Sequence, residues 1–329
     1  DNTGRELPVQ LIGHEGRVWS VCFNQNGSRI ATRCYDNSIK NWDAESGAEL
    51  TTLRGHTSHA LSVTFSPDDK YLVSGSGDTS VRLWDAQQGQ GSLTTKKQPD
   101  ALHSVTFSRN GKRIASGGHD GNAKIWDART GLEIMCLSMP EDKEGRSVDV
   151  FRVAFSPDDD FLATASGIGT SFGFGDLPPV PGDIRVWDLA TQQVVHHFTG
   201  HTAKGCCVAF SPDGQSLASA SGGWGQPGEI KVWSLATGQE LELGLEGDSG
   251  IIWPVAFSPN GKFLAWARLD YPADVNDRVS ANEALKNGRT ESVVIIWDLD
   301  KAEAALQLVG HKAGVLDIAF HPDGTQLGQ

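Results

Sequence analysis

From Gly55 to Asp85 the chain alternates apolar and polar side chains in short bursts separated by turn residues. Leu61, Val63 and Phe65 form one burst, and Tyr71, Leu72 and Val73 follow after Ser66-Pro67-Asp68-Asp69. Val81 and Leu83 lead into Trp84 after Gly77-Asp78. A period of two with turn chemistry between the bursts predicts an antiparallel meander. Pro67 pre-sets its own φ, and Gly77 and Asp78 tolerate the backbone of a tight turn. One meander leaves its sheet faces uncovered, so it predicts neighbours of the same kind.

The pattern recurs. Trp42, Trp84 and Trp126 are 42 residues apart, each followed by aspartate, and the series continues at Trp187, Trp233 and Trp297. Gly13-His14, Gly55-His56, Gly200-His201 and Gly310-His311 lie upstream, with His14 and His56 each 28 residues before their tryptophan. A serine-proline-aspartate-like turn follows ten residues after each histidine position, at Ser66, Ser108, Ser156, Ser211, Ser258 and His321. On these residues the chain resembles the WD40 repeat (G-protein β-type) family over essentially its whole length. Its FSPDG-like turns and WDLATG-like endings resemble bacterial-style arrays. The resemblance implies an all-β fold, a seven-bladed β-propeller with four-stranded antiparallel blades.

In that frame residues 1–329 are expected to form a single domain. Residues 1–13 supply an outer closing strand, and blades follow at about 14–55, 56–98, 99–145, 146–200, 201–247, 248–310 and, in part, 311–329. Asp1 to Leu7 matches Asp43 to Glu49 in register, so Leu7 to Ile12 is expected to complete the last blade and remove its open edge. The seventh blade is expected to be incomplete at the C-terminus, and the chain to be a piece of a longer protein. Blades 4, 5 and 6 carry 13, 4 and 21 extra residues between their second and third strands, in loops expected at 167–183, 222–229 and 268–291. Insertions of this kind, all on one face, often mark a binding face.

Composition narrows the function. A net charge of −13 gives no cationic surplus to displace counterions, so a nucleic-acid partner is not expected. No apolar run is long enough to span a membrane. The five cysteines, Cys22, Cys34, Cys136, Cys206 and Cys207, form neither a disulfide framework nor a metal motif, which fits a reducing, cytoplasmic setting.

The family resemblance also implies a hydrogen-bonded histidine–serine/threonine–aspartate–tryptophan set in each blade. It falls on His14, Thr32, Asp36 and Trp42 in the first blade, and on His56, Ser74, Asp78 and Trp84 in the second. The third keeps Ser116, Asp120 and Trp126 with Gln98 at the histidine position. The fifth keeps His201, Ser219 and Trp233, its aspartate position lost to the insertion, and Arg146 and Asp248 break the sets of the fourth and sixth. These groups mimic a hydrolase triad, but their repetition around an indole gives them a structural role. Gly247-Asp248-Ser249-Gly250 and Gly169-Thr170-Ser171-Phe172-Gly173 look like nucleophile motifs without the strand–elbow–helix context that the chemistry requires. Asp270, Asp274, Asn276 and Asp277 lack the spacing and glycine of a calcium loop. No catalytic residue, metal site or cofactor is therefore expected.

Residues at the start of each first strand and just before the turn aspartate face the ring opening in this family and contact partners. By register they are Arg17, Trp19, Tyr35, His59, Leu61, His103, His119, Asp149, Phe151, Lys204, Cys206, Ile251, Trp253 and Leu316. The resemblance implies a non-enzymatic scaffold that binds a protein or peptide there. The alternative is the sensor propeller of a signalling protein with kinase, nucleoside-triphosphatase or protease-like domains. A propeller hydrolase or metal enzyme centred on Ser171 or Asp270 is the minor alternative.

Overall fold

The computed structural model describes residues 9–16, 18–141, 145, 148–168, 181–203, 205–223, 226–245, 251–270, 287, 290–311 and 314–328. They form strands and turns. The first sheet runs β1 (Val18–Phe23), β2 (Arg29–Cys34), β3 (Ile39–Asp43) and β4 (Glu49–Leu53), antiparallel and in chain order. The second repeats it with β5 (Ala60–Phe65), β6 (Tyr71–Ser76), β7 (Val81–Asp85) and β8 (Gly91–Thr94). The third holds β9 (Leu102–Phe107), β10 (Arg113–Gly118), β11 (Asn122–Asp127) and β12 (Glu133–Ser138). The fourth holds β13 (Asp149–Phe155), β14 (Phe161–Gly167), β15 (Asp183–Asp188) and β16 (Gln193–Phe198). In the fifth, β17 (Gly205–Phe210), β18 (Ser216–Gly223) and β19 (Gln226–Ser234) are joined by only a bridge, Trp233 to Glu240, where a fourth strand would lie. The sixth is β20 (Ile251–Phe257), β21 (Phe263–Asp270), β22 (Glu291–Asp298) and β23 (Glu303–His311).

A two-stranded sheet, β24 (Ala319–Phe320) with β25 (Leu327–Gly328), follows. The innermost strands pack in the order β1, β5, β9, β13, β17, β20 and β24, and β24 also packs on β1, which closes the ring. The described residues thus form an all-β propeller of six blades with this short sheet between the sixth and the first. The first strand expected at Val315–Phe320 is reduced to two paired residues, Ala319 and Phe320, opposite Gly328 and Leu327. His311, expected to open the seventh unit, instead ends β23, opposite Ser292. Val9 to Ile12 lie in no strand, and Leu7 lies outside the described residues.

The core is divided among the junctions. Ala31, Ile39 and Leu53 of the first blade form one cluster with Val63, Phe65, Leu72 and Trp84 of the second. Similar clusters join each later pair, and Val315 and Ile318 join Ala265, Ala267 and Val294 of the sixth blade. The last cluster joins Val21, Ile30 and Trp42 to Ala319 and Leu11. Each sheet is therefore apolar on both faces, which only a neighbour on each side can satisfy.

Turns tie neighbours together as well. A Cβ on Gly111, Gly214, Gly261 or Gly324 would stand 3.5 to 3.9 Å from the proline ring of the preceding blade, Pro67, Pro157, Pro212 or Pro259. At the closing junction a Cβ on Gly27, at φ 73°, would stand 1.8 Å from the ring of His321, so the turn needs both the left-handed conformation and the missing side chain. In blades 2 and 4 aspartate takes the left-handed position, at Asp69 (φ 60°) and Asp159 (φ 66°). Their carboxylates accept backbone N–H groups of the preceding turn, from Gln25 at 2.7 Å and from Arg109 and Asn110 at 2.6 and 2.9 Å.

Val9 and Gln10 lie against Gly47 as Thr51 and Leu53 of β4 lie against Gly89. This N-terminal segment therefore stands to the first blade as β4 stands to the second. One contact crosses the ring itself. Asp317, just before β24, accepts the Ser20 hydroxyl at 2.7 Å and the Val21 N–H at 3.3 Å, and pairs with Arg152 of β13 at 3.5 Å.

A core shared between blades makes a direct prediction. Leu72→Ala removes a side chain with 0 % exposure from the first junction and should cost about 2–5 kcal/mol. Leu132→Ala, at 68 % exposure on the outer edge, should cost less than about 0.5 kcal/mol. Urea denaturation of both variants checks this, and equal costs would contradict a core divided in this way.

Candidate functional site

The buried polar chains show how each sheet holds its tryptophan. In the second blade the Trp84 indole N–H donates to Ser74 Oγ at 2.8 Å, His56 Nε2 meets the same hydroxyl at 2.7 Å, and His56 Nδ1 reaches Asp78 at 2.9 Å. Burial works to raise the Asp78 carboxyl, but hydrogen bonds from His56, Ser80 and the Thr57 N–H outweigh it and hold the group well below the usual carboxylate range. Serine, histidine and aspartate stand within hydrogen-bond reach in triad order. Ser74 is nevertheless 0 % exposed and capped by an indole donor, so no substrate atom can approach it.

The other blades vary the theme. In the first, Trp42 and His14 Nε2 both meet Thr32, at 2.7 and 2.6 Å, while His14 Nδ1 stands 3.9 Å from Asp36, too far for a hydrogen bond. In the third, Gln98 Nε2 donates to Ser116 at 2.7 Å, beside Trp126 at 2.9 Å, so glutamine serves for histidine. Asp120 does not join that chain, and its Oδ2 is buried without a partner.

The fifth blade corrects the sequence expectation. His201 bridges Ser219 at 2.7 Å and Glu229 at 3.1 Å, so a glutamate beyond the insertion fills the position that seemed lost. Trp233 completes that chain on Ser219 at 2.8 Å. Burial acts to raise Glu229, yet its bonds from His201 and Thr202 bring it down to about 2. In the fourth blade Trp187 still donates to Thr164 at 3.1 Å, while Arg146 lies outside the described residues. In the sixth, Trp266 stands where the other blades have serine or threonine, and the Trp297 N–H is buried with no partner.

A second repeated device is displayed at one end of the sheets. Every inner strand of the six blades carries a break in register near its start, between Val18 and Ser20, Ala60 and Ser62, Leu102 and Ser104, Val150 and Arg152, Gly205 and Cys207, and Ile252 and Val255. The positions that fall between register partners are Trp19, Leu61, His103, Phe151, Cys206 and the Trp253-Pro254 pair. A bulge takes a residue out of the ladder and re-aims its side chain. Six of the residues picked out by register therefore share one backbone cause that the sequence pattern did not reveal.

The remaining rim residues join these at the junctions. Tyr35 follows β2 and His59 precedes β5. The Tyr35 ring stacks on His59 at 3.8 Å and lies 6.3 Å from Trp19, while the Arg33 guanidinium lies 5.3 Å over the Trp19 ring. The corresponding trio at the second junction is Leu61, Gly77 and Ala101. At the third it is His103, His119 and Asp149, with Phe151 5.4 Å from His103. At the sixth, Trp253 packs toward Gly314 and Leu269 instead of standing alone at the rim. Leu316 is half-buried. Arg17 and Lys204 lie outside the described residues, as do the side chains of Ile251 and Cys206.

A family model described as "WD domain, G-beta repeat" matches residues 5–43, 47–85, 91–127, 141–171, 192–234 and 303–327, more than half of the chain. The chain belongs to the WD40 repeat family. WD40 propellers are generally non-catalytic modules of protein–protein interaction. The human serine-threonine kinase receptor-associated protein is 44% identical over 43 residues, 13% of this chain and 12% of its own length, and the Mus musculus protein of that name gives the same figures. Nuclear distribution protein PAC1-2 of Uncinocarpus reesii is 27% identical over 148 residues, 44% of this chain and 31% of its own length. The chain thus spans less than a third of the length of each of these relatives.

The insertions also differ from expectation where they are described. Rather than opening a loop at Gly222, β18 and β19 extend as a longer hairpin that pairs Gly223 with Gln226. The blade 6 loop likewise begins with paired strand, Asp270 opposite Glu291, and Asp270 is held by Arg268 at 3.0 Å. Ser171, Ser249, Asp274, Asn276 and Asp277 lie outside the described residues. No disulfide joins the described cysteines, and burial pushes the Cys22 thiol up to about 12, which makes it inert. Among the described residues, two mixed groups hold metal-type donors, His14 with Cys34 and Asp36, and His103 with His119 and Asp149. No described helix is long and apolar enough to cross a membrane.

Two outcomes follow from the polar chains. Trp126→Phe removes the indole N–H that the Ser116 hydroxyl accepts and should cost about 1–3 kcal/mol beyond the lost packing, whereas Trp297→Phe removes an N–H that has no partner and should lack that extra cost. Denaturant midpoints of the two variants check the contrast. Glu229 is depressed from 4.5 to about 2, so its contribution is present above pH 4.5 and is lost as pH falls toward 2. The stability gap between the native protein and Glu229→Gln should therefore shrink across that window, as measured by denaturation at stepped pH.

Proposed function

We propose that the chain is a non-catalytic recognition module that binds a protein or peptide at the rim carried by the six bulges. The observation that carries this reading is the recurrence of a register break near the start of the inner strand in all six blades, which sets one residue, or two in the sixth, outside the ladder at the same end. The rim is rich in aromatic residues with an arginine beneath them, the composition that interface centres favour. Tyr35, at 54 % exposure, is its most open ring. The strand ends that lead into residues 169–180, 224–225 and 271–286 lie at this same end.

The net charge of −13 supports a protein partner over nucleic acid, and the reading places the module in the cytoplasm, away from a membrane. By their printed names, one relative is associated with a serine-threonine kinase receptor and the other with nuclear distribution, and both fit an interaction role. We take the β24–β25 pair as the inner part of a seventh blade, with Val9 to Ile12 standing where its outer strand belongs. The bacterial-style repeat endings support a second reading, a regulatory propeller joined to kinase, nucleoside-triphosphatase or protease-like domains. The parent coding sequence tests that reading.

The primary test compares partner capture by the native chain with capture by Trp19→Ala and Tyr35→Ala. Both variants should fold, by circular dichroism, and should bind the captured partner at least about tenfold more weakly. Full capture by both would place the interface elsewhere.

A further inference from the structure

One trio of rim positions differs in kind from the rest. The first junction fills it with Trp19, Tyr35 and His59, the second with Leu61, Gly77 and Ala101, and the sixth with Trp253, Leu269 and Gly314. The third fills it with two imidazoles and a carboxylate. His103 stands at the β9 bulge, His119 just after β10, and Asp149 at the head of β13. One donor atom from each lies within 4.8 Å of the others. His119 Nδ1 is 2.9 Å from an Asp149 oxygen, and the two imidazole centroids are 4.2 Å apart at 70°.

These three side chains come from strand ends on two blades. The His119 N–H is fixed to the Ala101 carbonyl at 2.9 Å, and Phe151 lies 5.4 Å from the His103 ring. His119 and Asp149 keep 27 % and 12 % side-chain exposure, which leaves a path for a small ion. With bonds of roughly 2.0–2.2 Å, donors around a tetrahedral ion stand about 3.4 Å apart, and the trio's donors all lie within 4.8 Å of one another. Two nitrogens and one oxygen suit a borderline divalent ion better than calcium or magnesium, which favour oxygen alone. His14, Cys34 and Asp36 are a weaker case, because the Thr32–Trp42 chain already accounts for where His14 sits.

We propose that His103, His119 and Asp149 form a three-ligand site for a divalent transition-metal ion of the zinc type, which clamps the third blade to the fourth. Three protein ligands leave one tetrahedral position for water or for a donor from a partner. The site does not depend on the partner-binding reading, because metal loading is measured on the chain alone.

The test uses the chain without a histidine tag, stripped with chelator and titrated with Zn²⁺ against a chromogenic competitor, with Co²⁺ absorption as a report on ligand geometry. One equivalent should bind. His103→Ala, which leaves the His119–Asp149 pair intact, and the near-isosteric Asp149→Asn should each weaken binding by more than about tenfold. His197→Ala, on outer strand β16, should bind as the native chain does. Circular dichroism of the chelated variants confirms that any loss is local. Absence of stoichiometric binding at millimolar metal, or retention of native affinity by both ligand variants, overturns the site and leaves His119–Asp149 as an ion pair.

Discussion

A sheet that is apolar on both faces cannot stand alone in water, and that constraint organises this molecule. Leu72, Ile125, Val186 and Val232 each lie in a cluster drawn from two adjacent sheets. Burying each face yields roughly 25 cal/mol per Å² of apolar area, but only while the neighbour is present. Sheets that need covers on both sides have two solutions, an endless stack or a ring. Here β24 touches both β20 and β1, and Gly27 receives the His321 ring, so the chain closes on itself.

The polar chains are subordinate to that packing, and their variation shows it. A serine or threonine hydroxyl accepts the indole N–H in five of the six blades. Its second partner is histidine in three of them and glutamine in one. The sixth blade replaces the hydroxyl with Trp266, which lies 6.0 Å from Trp297, and exchanges a hydrogen bond for aromatic area. A blade thus survives without the polar chain. No blade lacks a shared core.

Much of this was legible in the sequence, because a 42-residue recurrence of tryptophan and turn needs no knowledge of distant contacts. The departures were harder to read. Glu229 was hidden by an insertion that shifted it away from the aspartate's offset, and only the paired extension of β18 and β19 returns it to His201. The bulges leave no mark in the alternation, since Trp19 and Phe151 look like ordinary strand residues. His103, His119 and Asp149 are separated by 16 and 30 residues, a spacing that matches no ligand motif. Their meeting depends on the junction between two blades, which a linear reading cannot weigh.

The Arg152–Asp317 pair gives the ring a property that stacked repeats lack. In a linear array each unit senses only the units beside it, so disorder at one point spreads stepwise and weakens with distance. A tie from β13 to the segment before β24 is a chord across the circle. It joins the fourth blade directly to the segment that packs on β1, so the fourth blade has a direct stake in keeping the circle shut.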